Sequence, residues 1–302
     1  MAGIVPGVYA ITATPFDDQG RVDEDSIASL VEFEIKAGVH GLNVLGIMGE
    51  AHKLTEGERR RVAELFLKYV GGRVPVVVGT THPGVIPATE LSREAEAQGA
   101  SAVMVAPPSG LKTPEAILAH YRAVAAAMRI PVVVQDEPVT TGVLMPASLL
   151  ARIAEEIESC RIIKLEEAPT PPKVTQIRKL AGSSVKIFGG LGGAYFFEEL
   201  SRGADGIMTG FAFPEILVEI YGTFTAGRRG AAATIFDRYA SLIRYEAQQG
   251  IGLALRKEIL RKRGAIRTAV VRAPGPAMDE VTRRELDDIL QRMGVETTGV
   301  SR

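Results

Sequence analysis

Eight short β-branched runs, each followed by an amphipathic helical stretch, restrict this chain to very few folds. The runs fall at residues 7–14, 40–46, 74–80, 102–106, 131–135, around Lys164, 185–188 and 205–209. Helical spacing with acidic openings and glycine stops places helices between them, as at 23–38. Thr55 and Glu58 have capping-box spacing, in which side chain and backbone satisfy each other's amides at a helix start. Near-continuous Val and Ile runs suit parallel strands buried on both faces. Eight such units over about 225 residues match a closed (β/α)8 TIM barrel. An open doubly wound sheet is the competing architecture, but it needs a phosphate-binding glycine fingerprint. The nearest candidate, Gly189-Gly190-Leu191-Gly192-Gly193, has no matching acidic residue after the next strand and reads as a tight turn. After residue 228 the alternation stops, and helices are expected at 231–247, 253–263 and 278–293. The expected α/β organisation is a barrel over 1–228 with a C-terminal helical extension over 229–302.

In such a barrel the chemistry sits at the C-terminal ends of the strands. Among those ends, Lys164 is the one lysine inside an apolar strand, in Ile162-Ile163-Lys164-Leu165-Glu166. Alternate residues of a strand share a face, so Lys164 and Glu166 point together. A lysine there is costly unless paired or deprotonated, and a free amine is what Schiff-base chemistry uses. On spacing alone, a strand-end lysine reaching solvent fits equally well. Position in the barrel favours the nucleophilic amine.

Composition narrows the partners. A net charge of −1 gives no electrostatic case for nucleic acid or an anionic membrane. Cys160 is the sole cysteine, so no intramolecular disulfide can form, and its apolar neighbours mark it as a core residue. No charged leader precedes an apolar run and no run is long enough to span a bilayer, so a cytoplasmic enzyme is expected. His40, His52, His82 and His120 lack metal-ligand spacing, and neither metal nor cofactor is expected. His120 reads as a helix-surface residue, and 256–263 as a solvated helix face.

Five motifs occur in order: Thr12-Ala13-Thr14-Pro15-Phe16, Gly46-Ile47-Met48-Gly49-Glu50, residues 132–142, Ile163-Lys164-Leu165-Glu166 and Gly203-Ala204-Asp205-Gly206. Over nearly the whole chain they resemble the class I aldolase and dehydratase superfamily of dihydrodipicolinate synthase and N-acetylneuraminate lyase. The resemblance implies a Schiff base between Lys164 and the carbonyl carbon of a 2-oxo acid. It also implies a substrate-carboxylate loop at Gly46, Ile47 and Met48, and a homotetramer built as a dimer of dimers.

Departures from the family pattern redirect the activity. The two threonines of the carboxylate loop are Ile47 and Met48 here, so backbone amides must hold the carboxylate. The proton-shuttling tyrosine of the fifth strand is Gln135, whose amide is no acid or base. A second tyrosine is replaced by Ser109, and the arginine for the second substrate of dihydrodipicolinate synthase by Thr140. These changes argue against dihydrodipicolinate synthase and sialate lyase, and leave Glu166 to move protons. Gln135 with a Lys-x-Glu strand resembles the branch that dehydrates 2-keto-3-deoxy sugar acids, L-2-keto-3-deoxyarabonate in particular. Dehydration to 2-oxoglutarate semialdehyde, a step of sugar-acid catabolism, is therefore expected. A pyruvate-releasing class I aldolase and a non-catalytic 2-oxo-acid-binding barrel stay open. Expected substrate contacts are Gly46, Ile47, Met48, Gln135, Thr14, Ser109, Gly189 and Gly190. Thr14 could equally satisfy its own strand, and Ser109 could simply form a turn after Pro107-Pro108. Glu50 reads as an anchor of its loop, and Asp136, facing away from Gln135, as a fastener of the barrel.

Overall fold

A computed structural model describes residues 3–295. Its eight strands are β1 (Gly7–Ile11), β2 (Gly41–Val44), β3 (Val76–Gly79), β4 (Ala102–Val105), β5 (Val132–Asp136), β6 (Ile162–Leu165), β7 (Lys186–Gly189) and β8 (Gly206–Thr209). They close in sequence order, β8 pairing with β1, and every pairing is parallel. Several strands are shorter than their apolar runs, because the last residues of a run leave the ladder to form the loops of one barrel face. Leu45 makes that exit with φ at 58°, in the left-handed region.

Helices α1 (Glu24–Lys36), α2 (Glu56–Val70), α3 (Val85–Ala97) and α4 (Pro114–Ala125) surround the first half of the barrel. After β5 comes α5 (Pro138–Thr141), one turn that the sequence reading did not foresee. The Glu137 side chain caps it by accepting the Thr140 amide at 2.9 Å. Helices α6 (Ala147–Glu156), α7 (Thr170–Ala181), α8 (Phe196–Ser201) and α9 (Pro214–Thr225) complete the ring. Beyond them lie α10 (Arg229–Glu246), α11 (Gly252–Lys262) and α12 (Glu280–Met293). The capping box at Thr55 and Glu58 is formed at the start of α2.

Side chains divide with the period of two. Tyr9, Ile11, Val77, Met104, Val133, Ile162, Phe188 and Met208 fill the barrel interior. Val8, Leu42, Val78, Val103, Val134, Ile163, Ile187 and Ile207 face the helices. Inside the barrel Tyr9 meets Phe188 edge to face, with ring centroids 5.4 Å apart. Cys160 is a core residue, and burial pushes its thiol up to about 12. No helix among the described residues is long and apolar enough to cross a membrane.

Two surface readings are corrected. His120 is buried on α4 beside Ile117, Leu118, Tyr121 and Val124, and burial lowers its pKa. The buried stripe of α4 is wide enough to take in the ring. Arg256, Lys257 and Glu258 are buried as well. Charge on α11 suggested a solvated face, but every residue from Ala254 to Leu260 is buried.

Glu34 is fully buried on α1, its Oε2 has no donor, and burial pushes the carboxyl up to about 8. A carboxyl raised in the folded state binds its proton more tightly there than when unfolded. Its contribution therefore falls as pH rises from the ordinary value of 4.5 toward 8. Glu34→Gln stays neutral, so the Tm advantage of the variant over the parent should grow by several degrees between about pH 5 and about pH 8. A pH-independent difference in scanning calorimetry would contradict this burial account.

Candidate active site

Lys164 lies on β6 in register with Gln135 on β5 and Phe188 on β7. Beneath it the apolar interior layer closes the barrel, which keeps bulk water from reaching the amine from below. Lys164 Nζ is 2.8 Å from Glu166 Oε2. Gln135 Nε2 donates to the same oxygen at 2.9 Å. Lys164 and Gln135 are buried, whereas the Glu166 side chain keeps 12% of its surface exposed. The Glu166 amide donates to the Asp136 carbonyl at 2.8 Å, which ties it to β5 one residue past its own strand.

The glycines at the end of β7 have separate tasks. A Cβ at Gly190 would stand 2.4 Å from Glu166 Cγ and 2.7 Å from Oε1, so a larger residue would displace the carboxylate. Gly189 faces the other way, where a Cβ would collide with the Glu199 carboxyl. Gly190 thus shapes the site, and Gly189 makes room behind the barrel wall. Asp136 also points outward, to Lys173 Nζ at 2.6 Å, and fastens β5 to α7. Burial outweighs that lysine and pushes Asp136 up to about 6.

The β2 loop is bracketed by two non-glycine residues in the left-handed region, Leu45 (φ 58°) and Glu50 (φ 53°). Such backbone is held only where the surroundings enforce it, and it concentrates at functional sites. Gly79 makes room for it at one end, because a Cβ there would sit 2.2 Å from the Leu45 carbonyl oxygen. Thr14 Oγ1 donates to the Gly49 carbonyl at 2.6 Å, so this hydroxyl supports the loop. Gly46 is buried beside Ile11 and Met104, Ile47 is 40% exposed, and Met48 rests against Gly210. The amides of Ile47 and Met48 donate to no protein acceptor among the described residues. Ser109 is exposed in the turn after β4, where its carbonyl accepts Lys112 Nζ at 3.0 Å.

Glu50 is buried and anchors the loop. Its carboxylate takes Lys53 Nζ at 2.8 Å, Lys257 Nζ at 2.5 Å and the Arg272 amide at 3.0 Å. Lys257 and Arg272 both lie over the Phe16 ring, each 4.4 Å from its centroid. Burial pulls Lys257 down to about 8 against the opposing pull of Glu50. Sequence reasoning missed Arg256, Lys257 and Arg272, all from the C-terminal region. One signal could have pointed to Lys257: a buried anchoring glutamate needs cations, and α11 supplies this one. Among the described residues, no three His, Cys, Asp or Glu side chains gather as a metal site would require.

Comparison with known proteins shows the family and the fold. Residues 5–293 match the model of the dihydrodipicolinate synthetase family. An L-2-keto-3-deoxyarabonate dehydratase from Azospirillum brasilense is 33% identical over 292 residues, 95% of this chain and 94% of that protein. A 4-hydroxy-tetrahydrodipicolinate synthase from Phenylobacterium zucineum is 41% identical over 150 residues, 49% of this chain and 51% of that one. The crystal structure of dihydrodipicolinate synthase from Rhodopseudomonas palustris superposes with a TM-score of 0.92 at 38% identity. It covers 97% of this chain and 100% of its own.

Removing Lys257 leaves Glu50 buried and short of one cation. Lys257→Met should cost about 3 kcal/mol in urea unfolding. Adding Glu50→Gln should restore more than half of that. A neutral Lys257→Met would show that the loop does not depend on this anchor.

Proposed function

The chain belongs to the dihydrodipicolinate synthetase family of lyases, and we propose that it dehydrates a 2-keto-3-deoxy sugar acid through a Schiff base. The best-matched substrate is L-2-keto-3-deoxyarabonate, giving 2-oxoglutarate semialdehyde. One observation carries the reading: Lys164 and Gln135 converge on the same oxygen of Glu166. The relative from Azospirillum brasilense, named as a dehydratase of this acid and matched over 95% of the chain, supports it. Relatives named as synthases match too, but in this chain Gln135 and Thr140 stand where that activity would need a tyrosine and an arginine.

The mechanism follows from the contacts. Across 2.8 Å, Glu166 Oε2 takes a proton from Lys164, which frees the amine to attack C2 of the 2-oxo acid. Glu166 hands that proton to the hydroxyl of the adduct, which leaves as water to give the iminium and restores the carboxylate. Glu166 then removes a C3 proton to form the enamine. Oε1, turned toward Gly190, meets no protein donor among the described residues and is the oxygen free to do this. The same carboxyl returns its proton as the C4 hydroxyl leaves as water. Hydrolysis of the imine and tautomerisation release the semialdehyde, one water lighter than the substrate. Retro-aldol cleavage would instead need a base at the C4 hydroxyl. At the tyrosine position, Gln135 is already engaged as a donor to Glu166.

In this reading residues 1–228 carry the reacting groups, and 229–302 complete the site from outside. Ile47 and Met48 offer amides to the substrate carboxylate, while Ser109 lies at the mouth. The protein acts as a homotetramer in the cytoplasm, in sugar-acid catabolism and without a cofactor.

Borohydride in the presence of pyruvate should reduce an imine onto Lys164, seen by mass spectrometry, and Lys164→Ala should abolish the adduct. Glu166→Gln should still yield the adduct, formed more slowly, while turnover drops by about 10²–10⁴-fold. Parent-like turnover in that variant would remove Glu166 from the mechanism.

A further inference from the structure

Arg256 takes part in none of these steps, yet it borders the β2 loop. Its side chain is nine-tenths buried on α11. Nη1 lies 2.9 Å from Met48 Sδ, and a Cβ at Gly192 would stand 3.0 Å from Nη2. The guanidinium therefore sits between the carboxylate loop and the β7 loop that shapes Glu166. With Ile47, Met48 and His52 it lines an open cleft of about 260 Å³.

Its pairing is incomplete. Glu246 Oε2 is 3.4 Å from Nε, but Nε makes no hydrogen bond, and that oxygen accepts the Ala212 amide at 3.1 Å. Glu246 is itself pushed up to about 7 by burial, which weakens it as a counter-ion. A thioether is a weak acceptor for one of five N–H donors. A buried guanidinium left this short of acceptors is costly unless an anion completes it.

We propose that Arg256 is a specificity-determining residue that receives the C1 carboxylate of the 2-oxo acid together with the Ile47 and Met48 amides. Where the family pattern has two threonine hydroxyls, this chain supplies a full positive charge from the C-terminal extension. The Met48 thioether occupies Nη1 until the carboxylate displaces it. The inference rests on the reading of the site as one for 2-oxo acids, and its test does not require turnover.

Binding of pyruvate and of its uncharged analogue pyruvamide is measured by calorimetry with the parent, Arg256→Gln and Arg256→Lys. The parent should prefer pyruvate, and Arg256→Gln should lose roughly tenfold or more in pyruvate affinity with pyruvamide unchanged. Arg256→Lys should recover part of the preference, and it carries the test alone if the glutamine variant does not fold. Equal losses for both ligands, no loss for pyruvate, or a parent without preference would each overturn the proposal. Arg256-dependent pyruvate binding without borohydride trapping in the parent would uphold the carboxylate receptor and reject the Schiff base instead.

Discussion

Glu166 Oε2 is the atom on which the site depends, because it meets the Lys164 amine and the Gln135 amide at once. That convergence needs β5 and β6 paired in one register, with Gln135 opposite Lys164. It needs the period of two that turns Lys164 and Glu166 inward while Leu165 and Ile163 face the helices. It needs Gly190 across the way, since no larger residue leaves space for the carboxylate. A one-residue slip of β6 would turn the lysine out of the barrel and put an aliphatic side chain in its place.

The C-terminal helices hold the second half of the site. The loop after β2 adopts left-handed backbone at Leu45 and Glu50, and Glu50 is fixed by Lys257 and by the Arg272 amide. Phe16, last residue of the first motif, meets both cations with its ring and brings the segment after β1 into the same cluster. Strain in the loop is thus balanced by buried charge pairing contributed from more than 200 residues away. Lys164 and Glu166 belong to the barrel, but the β2 loop is held in shape by the extension.

The barrel was legible because its signals are local. Strand runs, the capping box at Thr55 and the inward face of Lys164 all follow from residue spacing, and all are present. Glu50 as an anchor and Asp136 as a fastener were legible for a similar reason: each is a carboxylate placed where direct chemistry has no use for it. The roles of Thr14 and Gly189 were harder to read. Which way each turns depends on neighbours distant in sequence, Gly49 for one and Glu199 for the other. Arg256 and Lys257 were misread because a charged helix normally faces solvent, and nothing within α11 reveals that it is packed on nearly all sides. His120 failed the same way: α4 buries a stripe wider than the apolar residues alone mark out.

Dehydration by the Lys164–Glu166 pair is the central claim, and the identity of the product tests it most directly. Proton NMR of the purified protein with L-2-keto-3-deoxyarabonate should show 2-oxoglutarate semialdehyde growing without pyruvate. Pyruvate appearing with a two-carbon aldehyde would contradict the account and make the protein an aldolase.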